Sequence, residues 1–251
     1  MAFYSEKCKD CRKCIQVCPT HAIDEITKIS NYSACITCSA CIDVCTQDAR
    51  KMIGQKMSED EIINELLKDI DFYKDSNGGV TFSGGEPLVY PEFLLKILKS
   101  LKAKGIHSNI ETCGVFDLKK VIPLLPYIDL IYFDIKHLNN DSHKKYTGLG
   151  NEIILENFQE LNAVFSHLQI RVPLIPGVND DESSIKEICE FSLKNGHQTI
   201  HLLPYHSMGN SKAIRIDYKA KIFKVKPHTK EELEFIKKQF SKLGIKTISY
   251  D

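Results

Sequence analysis

The chain has 251 residues, 43% of them apolar, and its 33 basic and 33 acidic side chains cancel. That length supports one sizeable core plus a small extra module, while zero formal charge gives no electrostatic reason to expect nucleic acid or a membrane surface as a partner. No apolar run reaches the roughly 18 residues that cross a bilayer; the most apolar stretch, 121–135, is cut by Pro123, Pro126 and Asp129.

The first ten residues are mixed and charged, with no apolar core of the kind a secretory signal needs, so the cell interior, the cytoplasm, is the expected location. Eight of the ten cysteines follow at once, as Cys8, Cys11, Cys14 and Cys18 and then Cys35, Cys38, Cys41 and Cys45. Each run is C-x2-C-x2-C-x3-C, the bacterial ferredoxin spacing for a pair of [4Fe-4S] clusters, in which the fourth ligand crosses to the other cube. The spacing therefore assigns Cys8, Cys11, Cys14 and Cys45 to one cluster and Cys35, Cys38, Cys41 and Cys18 to the other. Zinc favours two separated pairs over a repeated three-plus-one run, and disulfides need an oxidising compartment. Matching residues after each fourth cysteine, Pro19 to Ile23 and Thr46 to Arg50, mark a duplicated half. His21 reads as a turn residue within it.

A module boundary is expected near residue 53, with a second domain over 54–251. Ser58 and Glu61 form a capping box that opens a helix whose apolar residues, Ile62, Ile63, Leu66, Leu67 and Ile70, recur at helical spacing as far as Tyr73. A turn at 77–79 leads into a strand over 80–82. Helices over 91–104, 117–125, 152–165, 181–195 and 230–243 then alternate with strands over 106–111, 129–135, 168–174, 199–203 and 246–250. Such alternation predicts an α/β fold with a parallel sheet and right-handed crossovers, open or curled into a barrel. Ligands gather at the carboxyl ends of such strands. There the chain places Ser83-Gly84-Gly85-Glu86-Pro87, Glu111-Thr112-Cys113-Gly114, Asp134-Ile135-Lys136, Arg171 and Leu203-Pro204-Tyr205-His206.

The Ser83 to Pro87, Phe133 to Lys136 and Leu203 to His206 motifs, together with the two-cluster insert, resemble the glycyl radical enzyme activating enzymes, relatives of pyruvate formate-lyase activating enzyme in the radical S-adenosylmethionine superfamily. The resemblance implies a partial parallel (β/α) barrel carrying a small ferredoxin-like module at its N-terminus. It implies that S-adenosylmethionine is cleaved reductively and that the 5'-deoxyadenosyl radical takes a hydrogen from one glycine of a large partner enzyme, with flavodoxin or ferredoxin as electron donor. By the same resemblance Gly84, Gly85 and Glu86 hold the methionine amino group. Asp134, Ile135 and Lys136 line the ribose and carboxylate side, and Arg171 and His206 complete the nucleotide pocket.

The family also carries Cys-x3-Cys-x2-Cys on a loop after its first strand, which holds a third [4Fe-4S] cluster in the full-length members. This sequence has no such triplet: Cys14 and Cys18 lead to His21, and Cys41 and Cys45 lead to Asp48. Cys113 and Cys189 are isolated and read as packing residues. A truncated or split gene, or a start site placed inside a longer frame, is the simplest account, with the first barrel strand and the catalytic loop missing, no residue of these 251 assigned to catalysis, and the isolated chain inactive. The alternative is a non-catalytic remnant or an electron-transfer iron-sulfur protein.

Overall fold

The computed structural model describes residues 1–216 and 224–249. It divides into two compact units, the first formed by Met1–Lys56 and His206–Lys226, the second by Met57–Tyr205 and Pro227–Asp251.

In the first unit, β1 (Ala2–Phe3) pairs antiparallel with β2 (Arg50–Lys51), Phe3 opposite Arg50. An isolated antiparallel bridge joins Ile23 to Ser30. Each cysteine of the second run lies 27 positions after its counterpart in the first, and the same shift relates Phe3 to Ser30 and Ile23 to Arg50. The bridge is thus the second copy of the β1–β2 pairing. Two single-turn helices, α1 (Lys13–Gln16) and α2 (Ala40–Asp43), are related in the same way.

The second unit begins with α3 (Glu59–Leu66), closed by the Ser58–Glu61 capping box. The expected single helix is divided here: a 3-10 turn, Leu67–Asp69, separates α3 from α4 (Ile70–Ser76), and Asn77 ends α4 in the left-handed region. Both pieces lay apolar side chains on one cluster around Ile63, Val80, Ile97 and Leu101. Then follow β3 (Gly79–Phe82), α5 (Pro91–Ala103), β4 (His107–Thr112), α6 (Leu118–Val121), β5 (Leu130–Asp134), α7 (Asn140–Thr147), α8 (Glu152–Val164), β6 (Leu168–Leu174), α9 (Glu182–Lys194) and β7 (Thr199–Pro204). The chain returns to the first unit for α10 (Met208–Ile216), where Arg215 pairs with Glu6 at 3.2 Å and lies over the Tyr4 ring. It finishes in the second with α11 (Lys230–Lys242) and β8 (Lys246–Ser249); Tyr250, expected to end that strand, lies outside the described residues.

All six strands of this unit run parallel in the order β3-β4-β5-β6-β7-β8. The order never reverses, so right-handed crossovers place the helices on one side, as in a barrel wall rather than a doubly wound sheet. Burial agrees. In β6 Leu168, Ile170, Val172 and Leu174 are buried while Gln169, Arg171 and Pro173 are only partly so, whereas a sheet covered on both faces would be apolar throughout. The helical side carries the core: Leu94 and Leu98 of α5, Ile154, Phe158 and Leu161 of α8, Ile185 and Ile188 of α9 and Phe240 of α11 pack on Ile110, Ile131, Phe133 and Ile170. Phe158 meets Phe133 edge to face, centroids 5.2 Å apart. Two further pieces of this unit depart from the expected elements. The helix of 117–125 is one α turn followed by a 3-10 segment, Ile122–Tyr127, because Pro123 and Pro126 lack amide donors. α7, capped by Asn139 and ended by Gly148 at φ 87°, was not expected.

Candidate functional site

In the first unit the cysteine loops are shaped by backbone strain repeated at matched places. Asp10, Arg12 and His21 have φ of 53°, 57° and 48°, and their counterparts Thr37, Ser39 and Asp48 have 55°, 67° and 50°. Each such residue costs about 1 kcal/mol outside glycine, and the conformation curls each loop around a cavity. One cavity is lined by Cys8, Cys11, Cys14 and Cys45. A second is lined by Cys18, Cys35, Cys38 and Cys41. All eight cysteines are free thiols. Backbone amides already point at sulfur, Asp10 N–H to Cys8 Sγ at 3.4 Å and Ala22 N–H to Cys18 Sγ at 3.3 Å. Burial works against ionising Cys18, but the amides of Ala22 and Thr20 outweigh it and hold the thiol below its ordinary value; burial pushes the Cys41 thiol up. Among the described residues no three His, Cys, Asp or Glu side chains close on one point as ligands of a single ion do. Four thiols line each cavity, one for each iron of an iron-sulfur cube.

In the second unit the strand ends converge on one polar network. Asp134 ends β5, and Arg171 of β6 stands opposite it in the register. Arg171 Nε donates to Asp134 Oδ1 at 2.6 Å, and its Nη1 lies 2.5 Å from Glu111 Oε1 at the end of β4. Lys136 reaches Asp134 Oδ2 at 3.1 Å, and Ser83, just past β3, donates to Glu111 Oε2 at 2.9 Å. Burial disfavours the Arg171 charge, yet the hydrogen bonds it donates to the Asp134 and Glu111 carboxylates outweigh that and raise its pKa. Beside it His201 of β7 is buried, edge-on to Tyr132, and burial followed by the Arg171 charge lowers its pKa.

The Gly84–Glu86 loop passes this network. Gly84 sits at φ 125°, and an added Cβ at Gly84 or Gly85 would meet nothing within 4 Å, so the backbone faces open space that a ligand can occupy. The Glu86 carboxylate is committed elsewhere: it accepts from Thr112 Oγ1 at 2.9 Å, Cys113 N–H at 2.8 Å and Leu88 N–H at 3.1 Å. These bonds anchor the loop to the end of β4. Ile135 has its side chain in the core, 1% exposed. His206 is exposed just beyond β7, at the first residue of the segment that belongs to the first unit. Cys113 is half-buried and Cys189 buried, the latter pushed up to about 11 by burial. Two such thiols do not fit a third cube, which needs three.

Residues outside the expected set also hold the rim. Glu111 is the second carboxylate on Arg171. Buried Asn179 donates to the carbonyls of Lys136 and Pro173, both at 2.8 Å, and accepts from Ile175 N–H, tying the ends of β5 and β6 together. An asparagine two residues after Pro-Gly is the only signal for it in the sequence.

Two family models match the chain: the radical SAM superfamily over residues 34–191 and the 4Fe-4S dicluster domain over residues 1–46. A (2S)-3-sulfopropanediol dehydratase activating enzyme of Klebsiella oxytoca is 36% identical across 96% of this chain and 80% of its own length. A trans-4-hydroxy-L-proline dehydratase activating enzyme of Clostridioides difficile is 37% identical across 98% of this chain and 83% of its own. Among solved structures, a domain of pyruvate-formate lyase-activating enzyme from Bacteroides vulgatus ATCC 8482 superposes with a TM-score of 0.58 at 32% identity, covering 69% of this chain and 99% of that one. The chain belongs to the radical SAM superfamily and, within it, to the activating enzymes of glycyl radical enzymes. Iron-sulfur clusters and S-adenosylmethionine are its cofactors, and a glycyl radical enzyme is its partner.

Proposed function

We propose that the first unit holds two [4Fe-4S] clusters, one on Cys8, Cys11, Cys14 and Cys45, the other on Cys35, Cys38, Cys41 and Cys18. The observation that carries this reading is the crossed lining of the two cavities, each taking three thiols from one run and the fourth from the other. When bound, the clusters supply one-electron transfer, and reductive cleavage of S-adenosylmethionine supplies the hydrogen abstraction at the partner's glycine.

This chain's own residues position the substrate. Gly84 and Gly85 keep the backbone bare beside the methionine end, and Glu86 fixes the loop through Thr112 and Cys113. Asp134, held by Arg171, and Lys136 face the ribose and carboxylate groups, and His206 is assigned to the nucleotide by the family resemblance. Ile135 contributes backbone only. A flavodoxin or ferredoxin is the electron donor, and the cytoplasm the location; no helix of the described residues is long and apolar enough to cross a membrane. The cube that touches S-adenosylmethionine needs thiols that these 251 residues do not carry, so taken alone they do not cleave it.

The test is direct. Reconstituted anaerobically and given strong reductant, the 251-residue chain should make no 5'-deoxyadenosine. Fusing a strand with Cys-x3-Cys-x2-Cys ahead of Phe3 should add about four irons and switch cleavage on; Asp134→Ala should then impair cleavage without loss of iron. Cleavage by the unmodified 251 residues would contradict the account.

A further inference from the structure

Every residue lining the second cavity has a counterpart lining the first under the 27-residue shift, and the two linings differ in charged side chains. Lys9, Arg12, Lys28 and Arg50 line the first; Ile36, Ser39, Met1 and Ile23 stand in the matching places of the second. Lys13 also lines the first, and its counterpart is Ala40. No side chain lining the second cavity is charged, although Met1 on its lining carries the α-ammonium, which donates to Tyr32 Oη at 3.3 Å. Lys9, Arg12 and Lys13 are exposed, whereas Arg50 is 2% exposed with its guanidinium over the Phe3 ring. Asp10 offsets part of this charge, 3.0 Å from Lys28 and 3.9 Å from Arg12. Cys11 and Cys38, at matching places, are both exposed, so access alone does not favour one cavity; charge does.

We propose that an acidic, low-potential electron-carrier protein docks over the first cavity, on the exposed rim of Lys9, Arg12 and Lys13, and reduces the cube held by Cys8, Cys11, Cys14 and Cys45. This rests on the reading of the eight cysteines as cluster ligands. The carrier loses one electron and the cube gains it; no bond changes, and the surrounding cations balance the added negative charge. A rim of one sign steers an oppositely charged protein and raises its association rate by about 10- to 1000-fold, an effect that salt removes. The second cavity has no comparable cluster of basic side chains.

The experiment uses the reconstituted full chain carrying Lys9→Glu, Arg12→Glu and Lys13→Glu. Stopped-flow reduction by a photoreduced acidic ferredoxin is followed at low and high ionic strength. At low salt the variant should be reduced at least about tenfold more slowly than the unmodified chain and should lose most of its salt dependence. Reduced methyl viologen, a small cation that needs no docking, should reduce both proteins fully, and Lys119→Glu with Lys120→Glu should leave the ferredoxin rate unchanged. A variant with full iron that takes electrons from ferredoxin at the unmodified rate overturns the proposal, as does an unchanged rate coupled to weakened binding of the glycyl radical enzyme. If the charge reversals block iron uptake, Lys9→Gln with Lys13→Gln replaces them; slower reduction supports the docking site, and no change overturns it. An unmodified chain that takes up no iron fails the ligand reading instead.

Discussion

The backbone at Asp10, Arg12 and His21 turns through the same left-handed conformations as at Thr37, Ser39 and Asp48, yet the side chains around the two cavities have diverged in one direction. Geometry is kept where it places thiols, and charge is changed where it surrounds them. Iron-sulfur potentials depend on nearby net charge, hydrogen bonds to sulfur and solvent exposure, so two cavities with the same pattern of thiols and differently charged linings should differ in potential without differing in ligands.

The comparison is broken most severely at its crossing ligands. Cys18→Ala should remove about four of eight irons, those of the second run's cube, and Cys45→Ala those of the first run's; iron analysis with Mössbauer spectroscopy reads this. If each substitution destroys the cube of its own run, the crossing is wrong. Arg50→Met should come next, lowering the potential of the first cube, whose cavity it lines, and also that of the second, whose ligand Cys41 feels the same charge, in an EPR-monitored titration. It should also destabilise the apo-protein by about 1–3 kcal/mol, since the Lys28 carbonyl and Ser30 hydroxyl lose their donor. The smallest effects belong to the turns: His21→Gly and Asp48→Gly should each change apo-protein stability by less than about 1 kcal/mol, and by equal amounts, because relief of left-handed strain is offset by a looser unfolded chain. Unequal effects in denaturant melts would show that the halves differ in backbone as well as charge.

Much of this is legible in sequence because it rests on short-range pattern. Cysteine spacing, the Ser58–Glu61 box and the alternation of Leu168, Ile170, Val172 and Leu174 all act over a few residues. The pieces that are not legible depend on partners far along the chain. α7 has almost no apolar side chain beyond buried His143, so no periodicity announces it. β1 and β2 are two residues each and exist only because the duplicated halves pair. The Glu111–Arg171–Asp134 network needs the strand register, which places Asp134 opposite Arg171, before Arg171 is seen to bridge two carboxylates. The commitment of Glu86 to Thr112 and Cys113 likewise appears only once β3 and β4 are side by side.

The most direct test is a redox titration, followed by EPR, of Cys18→Ala and Cys45→Ala beside the unmodified holo-protein. The account predicts that Cys18→Ala keeps one cube, reduced at the less negative potential, that Cys45→Ala keeps one reduced at the more negative potential, and that the unmodified protein shows both steps. Equal midpoints in the two variants, or the opposite order, would contradict it.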